Sequence, residues 1–293
     1  MFYYIGKPMP FLLLINVLLC SFLLSPLVHA NDPIIVKHYQ QHARYAFGLQ
    51  VMNLALSKLD TPYEIIGPKK QDVNEARGEA LVINGHYDVE FLSVTAQRES
   101  QMIPVKVPIY QGLLGLRLLL IKPTSNSEIS KVSNLEELAK FIGGHGLHWA
   151  DLPVYAENNL KVVTAVEYEK LFEMLKNGRF DYFHRGANEI WGELERYPNE
   201  LVIADNIMLF YPQPVYFFVS KHRPELAKQL EEGLQIAIKD GSYKALFLSN
   251  YQDIIARANL SSRNLIVLKN PIVPEDTPPI DTSWWMPQNK PLY

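Results

Sequence analysis

Cysteine is almost absent from this sequence, and its absence narrows the possible sites and folds. The single cysteine, Cys20, lies in an apolar amino-terminal segment. The rest of the chain therefore has no disulfides, no thiolate metal sites and no cysteine nucleophile. Packing alone has to stabilise the fold.

A strong charge of one sign is also absent. Lysine and arginine together number 28, against 31 aspartates and glutamates, and no basic patch is dense enough to indicate nucleic acid as a partner. The sequence lacks a Gly-x-Ser-x-Gly elbow, a His-Glu-x-x-His motif and a phosphate-binding loop. After the amino-terminal segment, no apolar run is long enough to span a bilayer.

The first 30 residues have the three parts of a cleavable signal peptide. Lys7 is the only charged residue before Asp32, a mainly apolar stretch covers 11–28, and small residues stand at positions 28 and 30. The stretch is also long enough for a retained membrane anchor, but Pro26 and the small residues favour cleavage. We therefore expect residues 1–30 to be removed and the protein to work outside the cytoplasm.

Beyond this segment, patterns typical of strands and helices alternate, which predicts an α/β fold with mostly parallel sheets. The apolar run 116–121 is typical of a buried strand, and the apolar spacing over 44–59 is typical of a helix. The segments 133–136 (Ser-Asn-Leu-Glu) and 164–167 (Thr-Ala-Val-Glu) have the pattern of capping boxes. We expect a helix to begin at each.

Two sets of short motifs resemble a known family. The first set is Leu81-x3-Gly85-x2-Asp88, Ser93-x-Thr95-x2-Arg98 and Pro108-x-Tyr110. The second set is Leu175-x2-Gly178-Arg179-x-Asp181, the Tyr216–Ser220 strand and Asp240-Gly241-Ser242-Tyr243. In this order and spacing, over nearly all of residues 34–250, the chain resembles bacterial periplasmic solute-binding proteins of the polar-amino-acid class.

The resemblance implies the type II periplasmic binding fold. Two α/β lobes, each a mostly parallel sheet flanked by helices, would be joined by two crossing strands. Segments 31–111 and 212–270 would form the first lobe, and 112–211 the second. Residues 271–293 would be a tail that wraps over the surface and docks its Trp284-Trp285 pair there.

The resemblance also implies a function. A small polar solute, an amino acid or a related carboxylate, would bind in the cleft between the lobes in the periplasm. The protein would be a monomer without cofactor or metal, and would carry out no turnover. It would deliver the solute to an inner-membrane transporter or report it to a sensor.

The first predicted ligand group is Arg98, which in the family binds the carboxylate of the ligand. A planar guanidinium matches a carboxylate with two hydrogen bonds. Ser93 and Thr95 precede a predicted helix start, where hydroxyls and free backbone N–H groups suit an anion. We expect all three residues to contact the solute, although an arginine beside a capped helix is also common on protein surfaces.

The second lobe departs from the family pattern. Relatives usually carry an acidic residue soon after the Gly-Arg-x-Asp segment to hold the ammonium of the ligand, but five places past Asp181 the chain has Gly186. Arg185 stands beside it and favours an additional acidic group on the ligand. Asp151 or Glu90 could supply the missing negative charge.

The loop 145–151 occupies the place where relatives contact the ligand. We expect His145 and His148 to donate hydrogen bonds and Trp149 to stack on the ligand, with Tyr39 and Tyr110 lining the cleft. Two alternatives stay open here: His145, His148 and Asp151 could bind zinc, or these residues with Glu90 could serve as acid–base groups of a dehydratase or lyase on the same scaffold. A further alternative is that the tryptophan pair docks on a membrane partner.

Overall fold

The computed structural model describes residues 1–3, 6, 32–41, 45–68 and 75–290. Most of the predicted signal peptide, Cys20 included, lies outside these residues. Within the described ranges, no helix combines the length and apolarity that crossing a membrane would need.

Five strands of the described residues belong to one half of the molecule. β1 (Ile34–Lys37) pairs in parallel with β2 (Tyr63–Ile66), while β3 (Val89–Ser93) and β4 (Ile103–Val105) flank β11 (Val215–Val219), which is antiparallel to both. The Gln40 side chain joins β1 to β3 through two 2.9 Å hydrogen bonds with the backbone of Phe91. The helices of this half are α1 (Ala46–Ser57), α2 (Glu75–Ile83), α3 (Ala96–Gln101), α9 (Pro224–Lys239) and α10 (Ser242–Ala258).

The other half is built on a seven-stranded sheet in the order β12-β10-β5-β8-β6-β7, with β9 also on β5. Its strands are β5 (Leu116–Ile121), β6 (Gly143–Gly146), β7 (Val162–Ala165), β8 (Tyr182–Gly186), β9 (Val202–Ile203), β10 (Ile207–Phe210) and β12 (Asn264–Val267). Its helices are α4 (Asn126–Ile129), α5 (Leu135–Leu138), α6 (Leu152–Glu157), α7 (Tyr168–Lys176) and α8 (Ile190–Leu194), and 3₁₀ turns cover Leu113–Gly115, Pro123–Ser125 and Leu260–Ser262. All six residues of β5 are buried, as a central strand requires.

The chain passes between the halves at residues 111–116 and 211–214. β5 and β11 each follow one of these crossings, and every antiparallel pair in the sheets includes one of them. The chain returns to the seven-stranded sheet once more with β12, so the segment 212–270 contributes strands to both halves. The lobe boundaries themselves stay a prediction.

Neither capping-box prediction is correct. The first lies one residue before the observed cap, and the second falls partly within a strand. At α5 the cap is Asn134, whose side chain accepts from the N–H of Glu137 at 2.9 Å, and the Glu137 carboxylate accepts from the N–H of Ser133 at 2.8 Å. The cap is therefore one residue later than predicted, and Glu137 bonds the residue before it. Thr164 and Ala165 lie in β7, because strand pairing with β6 uses their backbone, and α7 begins after Glu167 without a side-chain cap.

Candidate functional site

A cavity of about 200 Å³ lies where the two halves meet. Its walls come from the end of β3 and the beginning of β11 on one side and from the residues that follow β8 on the other. This space equals the liquid volume of roughly seven water molecules, which suits a small solute. The described residues that line it are Tyr45, Glu75, Phe91, Leu92, Ser93, Tyr110, Leu114, Asn188, Glu189, Val215 and Tyr251.

Aromatic rings form much of the wall on the side of the first half. Tyr45 meets Phe91 edge-on, with ring centres 5.6 Å apart, and Tyr110 lies 6.4 Å from Tyr251. Phe47 of α1 supports Tyr110 from behind at 5.4 Å. Tyr45 immediately precedes α1, Phe91 belongs to β3 and Tyr251 belongs to α10, so separate elements of the first half build this wall.

The charged groups in the lining are carboxylates. The side chains of Glu75 and Glu189 are 43% and 46% exposed. The Glu189 carboxylate lies beside Gly186, where an added Cβ would stand 3.1 Å from Oε2 of Glu189 and 2.7 Å from Oδ1 of Asn188. Because position 186 has no side chain, these two polar groups occupy the space that one would fill.

Of the three predicted carboxylate-binding residues, Ser93 lines this cavity and the other two have local partners. The Arg98 guanidinium donates to the Glu79 carboxylate at 3.2 and 3.0 Å and to the carbonyl of Ser93 at 2.8 Å. Thr95 caps α3 by accepting from the N–H of Arg98 at 3.1 Å. The positive charge of Arg98 is thus neutralised by a neighbouring helix.

Asp151 belongs to a buried polar cluster in the second half. Its carboxylate accepts from the Tyr211 hydroxyl at 2.6 Å and from Arg117 at 3.0 Å, and it lies 3.3 Å from Nε2 of His145. Burial opposes ionisation, but the nearby His145 ring and the charge of Arg117 hold the pKa of Asp151 well below its ordinary range. Asp151 therefore balances Arg117.

A hydrogen-bonded chain connects this cluster to the first half. Arg117 donates to Gln213 at 2.9 Å, and Gln213 donates to the hydroxyl of Ser93 at 3.3 Å. Beside it lies a second cavity of about 20 Å³, which Ser93, Thr95 and Asp151 help to line and which has room for about one water molecule. These three predicted residues thus meet, but around a space too small for a solute.

The remaining residues of the 145–151 loop do not converge on a ligand or a metal. His145 is fully buried, His148 is exposed, and Trp149 packs against the Arg185 guanidinium at 4.9 Å. Within the described residues, no group of three or more His, Cys, Asp or Glu side chains is placed to hold a metal ion. The zinc alternative therefore has no support in the geometry.

Arg185 is also enclosed by the protein. It donates to both oxygens of Glu193 at 2.7–2.8 Å and lies 3.0 Å from Glu189. Phe183 and Tyr168 cover its planar group at 5.1 and 5.4 Å. A buried guanidinium paired in this way holds α8 on the sheet.

Tyr39 and Glu90 pair with each other in the first half, where the Tyr39 hydroxyl donates to Glu90 at 2.7 Å. Neither is among the described residues that line the 200 Å³ cavity, whereas Tyr110 is. The acid–base set proposed for an enzyme does not assemble, since Glu90 lies in one half, Asp151 is bound to Arg117 in the other, and His148 is exposed.

Sequence reasoning missed Glu189, Asn188, Tyr45, Tyr251 and Glu75. The signal for Glu189 was available, since an acidic residue does follow the Gly-Arg-x-Asp segment, three places beyond Gly186. The rings of Tyr45 and Tyr251 reach the cavity from helices distant in sequence, and no local pattern marks them.

Comparison with known proteins supports the architecture. No protein-family model and no curated protein sequence matches the chain. Solved structures do: the probable amino-acid ABC transporter extracellular-binding protein ytmK from Bacillus subtilis is 14% identical with a TM-score of 0.59, over 76% of this chain and 98% of that one. An ancestral arginine-binding protein is 18% identical with a TM-score of 0.50, over 76% of this chain and 100% of that one.

A second protein from Bacillus subtilis is 17% identical with a TM-score of 0.52, over 75% of this chain and 90% of that one. The chain thus has the two-lobed α/β fold of periplasmic solute-binding proteins, which confirms the predicted fold class.

Proposed function

We propose that the protein binds a small polar solute in the cavity between its halves, outside the cytoplasm. The observation that carries this proposal is the 200 Å³ cavity itself, because residues of both halves line it. A solute held there would contact both walls and favour the closed arrangement, which is how ligands drive domain closure. The ancestral arginine-binding protein with the same fold has been solved with arginine and with glutamine, which supports a ligand of amino-acid size.

Binding without turnover fits the site better than catalysis. The polar groups that the described residues present in the cavity wall are carboxylates, tyrosine hydroxyls, a serine and an asparagine, and these residues include no histidine, lysine or cysteine. The predicted signal peptide of residues 1–30 supports a location in the periplasm. There the closed form would be read by an inner-membrane transporter or by a sensor.

Thermal unfolding of the purified chain 31–293 tests the proposal. We expect the midpoint temperature to rise with at least one member of a panel of amino acids, diamines and dicarboxylates, since a ligand at 100 times its Kd adds about 2.7 kcal/mol of stability. Tyr110→Ala, which removes one wall of the cavity, should abolish the rise. Tyr110→Phe, which keeps the ring and loses only the hydroxyl, is the matched control and should preserve the rise.

A midpoint that no panel member moves would argue against solute binding. Incubation of any bound solute for hours, followed by mass spectrometry, should return it unchanged. A converted product would point to an enzyme instead.

A further inference from the structure

The first crossing between the halves contains a turn with an uncommon backbone conformation. Gln111 and the adjoining Gly112 have φ angles of 47° and 77°, in the left-handed region that glycine tolerates and that residues with a Cβ avoid. A residue other than glycine keeps such a conformation where its surroundings hold it there. The contacts around Gln111 therefore decide how freely the chain can rotate at this crossing.

Residues of the carboxyl-terminal tail enclose this turn. The indole N–H of Trp285 donates to the carbonyl of Gln111 at 2.7 Å. Ile280 covers Gly112, where an added Cβ would stand 2.9 Å from Cγ2 of Ile280, and the side chains of Ile280 and Trp285 are both buried. A rotation at position 111 or 112 would therefore displace the tail or break its hydrogen bond.

The two adjacent tryptophans of the tail contact different halves. Trp284 meets Tyr243 and Phe247 of α10 in the first half, with ring centres 5.2 and 5.6 Å away. The ring of Trp285 lies 6.0 Å from that of Phe210, the last residue of β10 in the second half. Consecutive Cα atoms stay about 3.8 Å apart, so a rotation of one half against the other would disrupt at least one of these contacts.

The second crossing is tied to the first beside this segment. The backbone N–H of Tyr211 donates to the carbonyl of Gly115 at 3.2 Å, and a side chain at position 115 would collide with the carbonyl of Tyr211. Asn270, just before the tail, donates to the carbonyl of Pro212 at 2.7 Å. Because the crossings lie against each other, a restraint on the first also restrains the second.

We infer that residues 280–286 form a hinge brace, which holds the two halves in the arrangement described above and limits the opening of the cavity between them. None of these residues is among the described residues that line the cavity, so the hinge brace acts on a solute through the motion of the halves. This inference extends the proposed function, because it concerns the opening of the same cavity.

Distance measurement between the halves tests the hinge brace without a ligand. The chain 31–293 contains no cysteine, so Glu64→Cys in β2 and Lys161→Cys just before β7, both at exposed positions, accept one spin label each. Double electron–electron resonance then measures the distribution of distances between the labels. Trp284→Ala and Trp285→Ala should each widen this distribution about twofold, because hinge motion then meets less restraint.

The matched control is Phe180→Ala, which also removes a buried ring, but one that packs against Gly144 inside the second half. It should leave the width unchanged. Ile280→Ala, a smaller change in the hinge brace, should also widen the distribution and gives the same test if a tryptophan variant does not fold.

The outcomes separate the hinge brace from solute binding. An unchanged width in the variants of residues 280–286, or equal widening by Phe180→Ala, would overturn the hinge brace and leave solute binding intact. Conversely, a protein that binds no small solute would contradict the proposed function, whereas the distances, measured without a ligand, would still decide whether the hinge brace exists.

Discussion

The pair of Glu90 and Tyr39 shows how burial changes the chemistry of a single residue. Glu90 is fully buried on β3, with one oxygen bonded to the Tyr39 hydroxyl and the other without a partner among the described residues. Burial raises the pKa of Glu90 from 4.5 to about 8, and the nearby Glu79 adds to this, while the hydrogen bond from Tyr39 and the charge of Arg98 oppose it. Glu90 is therefore largely protonated near neutral pH.

A consequence for stability follows from that raised pKa. Between 4.5 and about 8, the folded state holds a proton that the unfolded chain has released, so the stability contributed by Glu90 is lost as pH rises through this range. We predict that Glu90→Gln gains stability relative to the unsubstituted protein by a few kcal/mol between pH 5 and pH 9, since each pKa unit is worth about 1.4 kcal/mol. Urea unfolding at several pH values measures it.

The exposed Glu64→Gln is the control, and its stability difference should not depend on pH. A flat profile for Glu90→Gln as well would mean that Glu90 is ionised in the folded state.

At the scale of elements, helix starts show what a short motif can and cannot predict. The Ser-x-x-Glu pattern at 133–136 correctly indicated a helix start, but the cap lies one residue later. Asn134 accepts from the N–H of Glu137, whose carboxylate accepts from the N–H of Ser133. Either register satisfies local rules. In the folded protein, Leu138 of this helix is buried in the second-half core, and the cap is at Asn134.

The register of this cap can be tested by a matched pair of substitutions. Asn134→Ala should lower the free energy of unfolding by about 1 kcal/mol, the usual effect of losing a cap. Glu137→Gln should destabilise the helix, because its carboxylate accepts from Ser133, whereas Glu136→Gln should have no effect. Chemical denaturation of the three variants measures this, and an equal effect at positions 136 and 137 would contradict the observed register.

At the scale of the whole molecule, the end of the segment 212–270 and the tail 271–293 together bond to both crossings between the halves. Lys269 exchanges two backbone hydrogen bonds with the Asn158 side chain at 2.8 and 2.9 Å, and Asn270 donates to the carbonyl of Pro212 at 2.7 Å. The indole N–H of Trp285 donates to the carbonyl of Gln111 at 2.7 Å. Asn270 and the tail thus each bond to one of the segments about which the halves would move.

The Trp284-Trp285 pair packs against the rest of the molecule. Trp285 is only 4% exposed, and Trp284 packs against Tyr243 and Phe247 with ring centres 5.2 and 5.6 Å away. Docking of these rings on a membrane protein would require the tail to leave the surface. The partner-docking alternative is therefore not supported.

Trp285 should contribute strongly to global stability. We predict that Trp285→Ala lowers the free energy of unfolding by roughly 3–5 kcal/mol, as is typical for a buried large aromatic residue. Trp285→Phe, which keeps a ring but loses the hydrogen bond to Gln111, should cost about 1 kcal/mol for that bond. Guanidinium unfolding measures both, and an unfolding curve unchanged by the alanine substitution would show that the tail does not hold the halves.

The sequence by itself determined the alternation of strands and helices and hence an α/β fold, because hydrophobic periodicity and turn residues act over a few neighbours. The arrangement in two lobes was implied by the resemblance of its motifs to a known family. The sequence also identified Ser93 and Tyr110, which lie at the ends of predicted elements where the halves meet. The same local patterns could not show which charges remain uncompensated.

Only the tertiary structure decided which charged side chains are paired and which one faces the cavity. Arg98 meets Glu79, Arg185 meets Glu193, and Glu189 occupies the space beside Gly186. These pairings depend on how helices pack against strand ends and on where each side chain points. Charges a few ångströms apart interact strongly whatever their separation in the sequence. For that reason two arginines that predicted an acidic ligand instead support the fold, and a glutamate outside the predicted pattern faces the cavity.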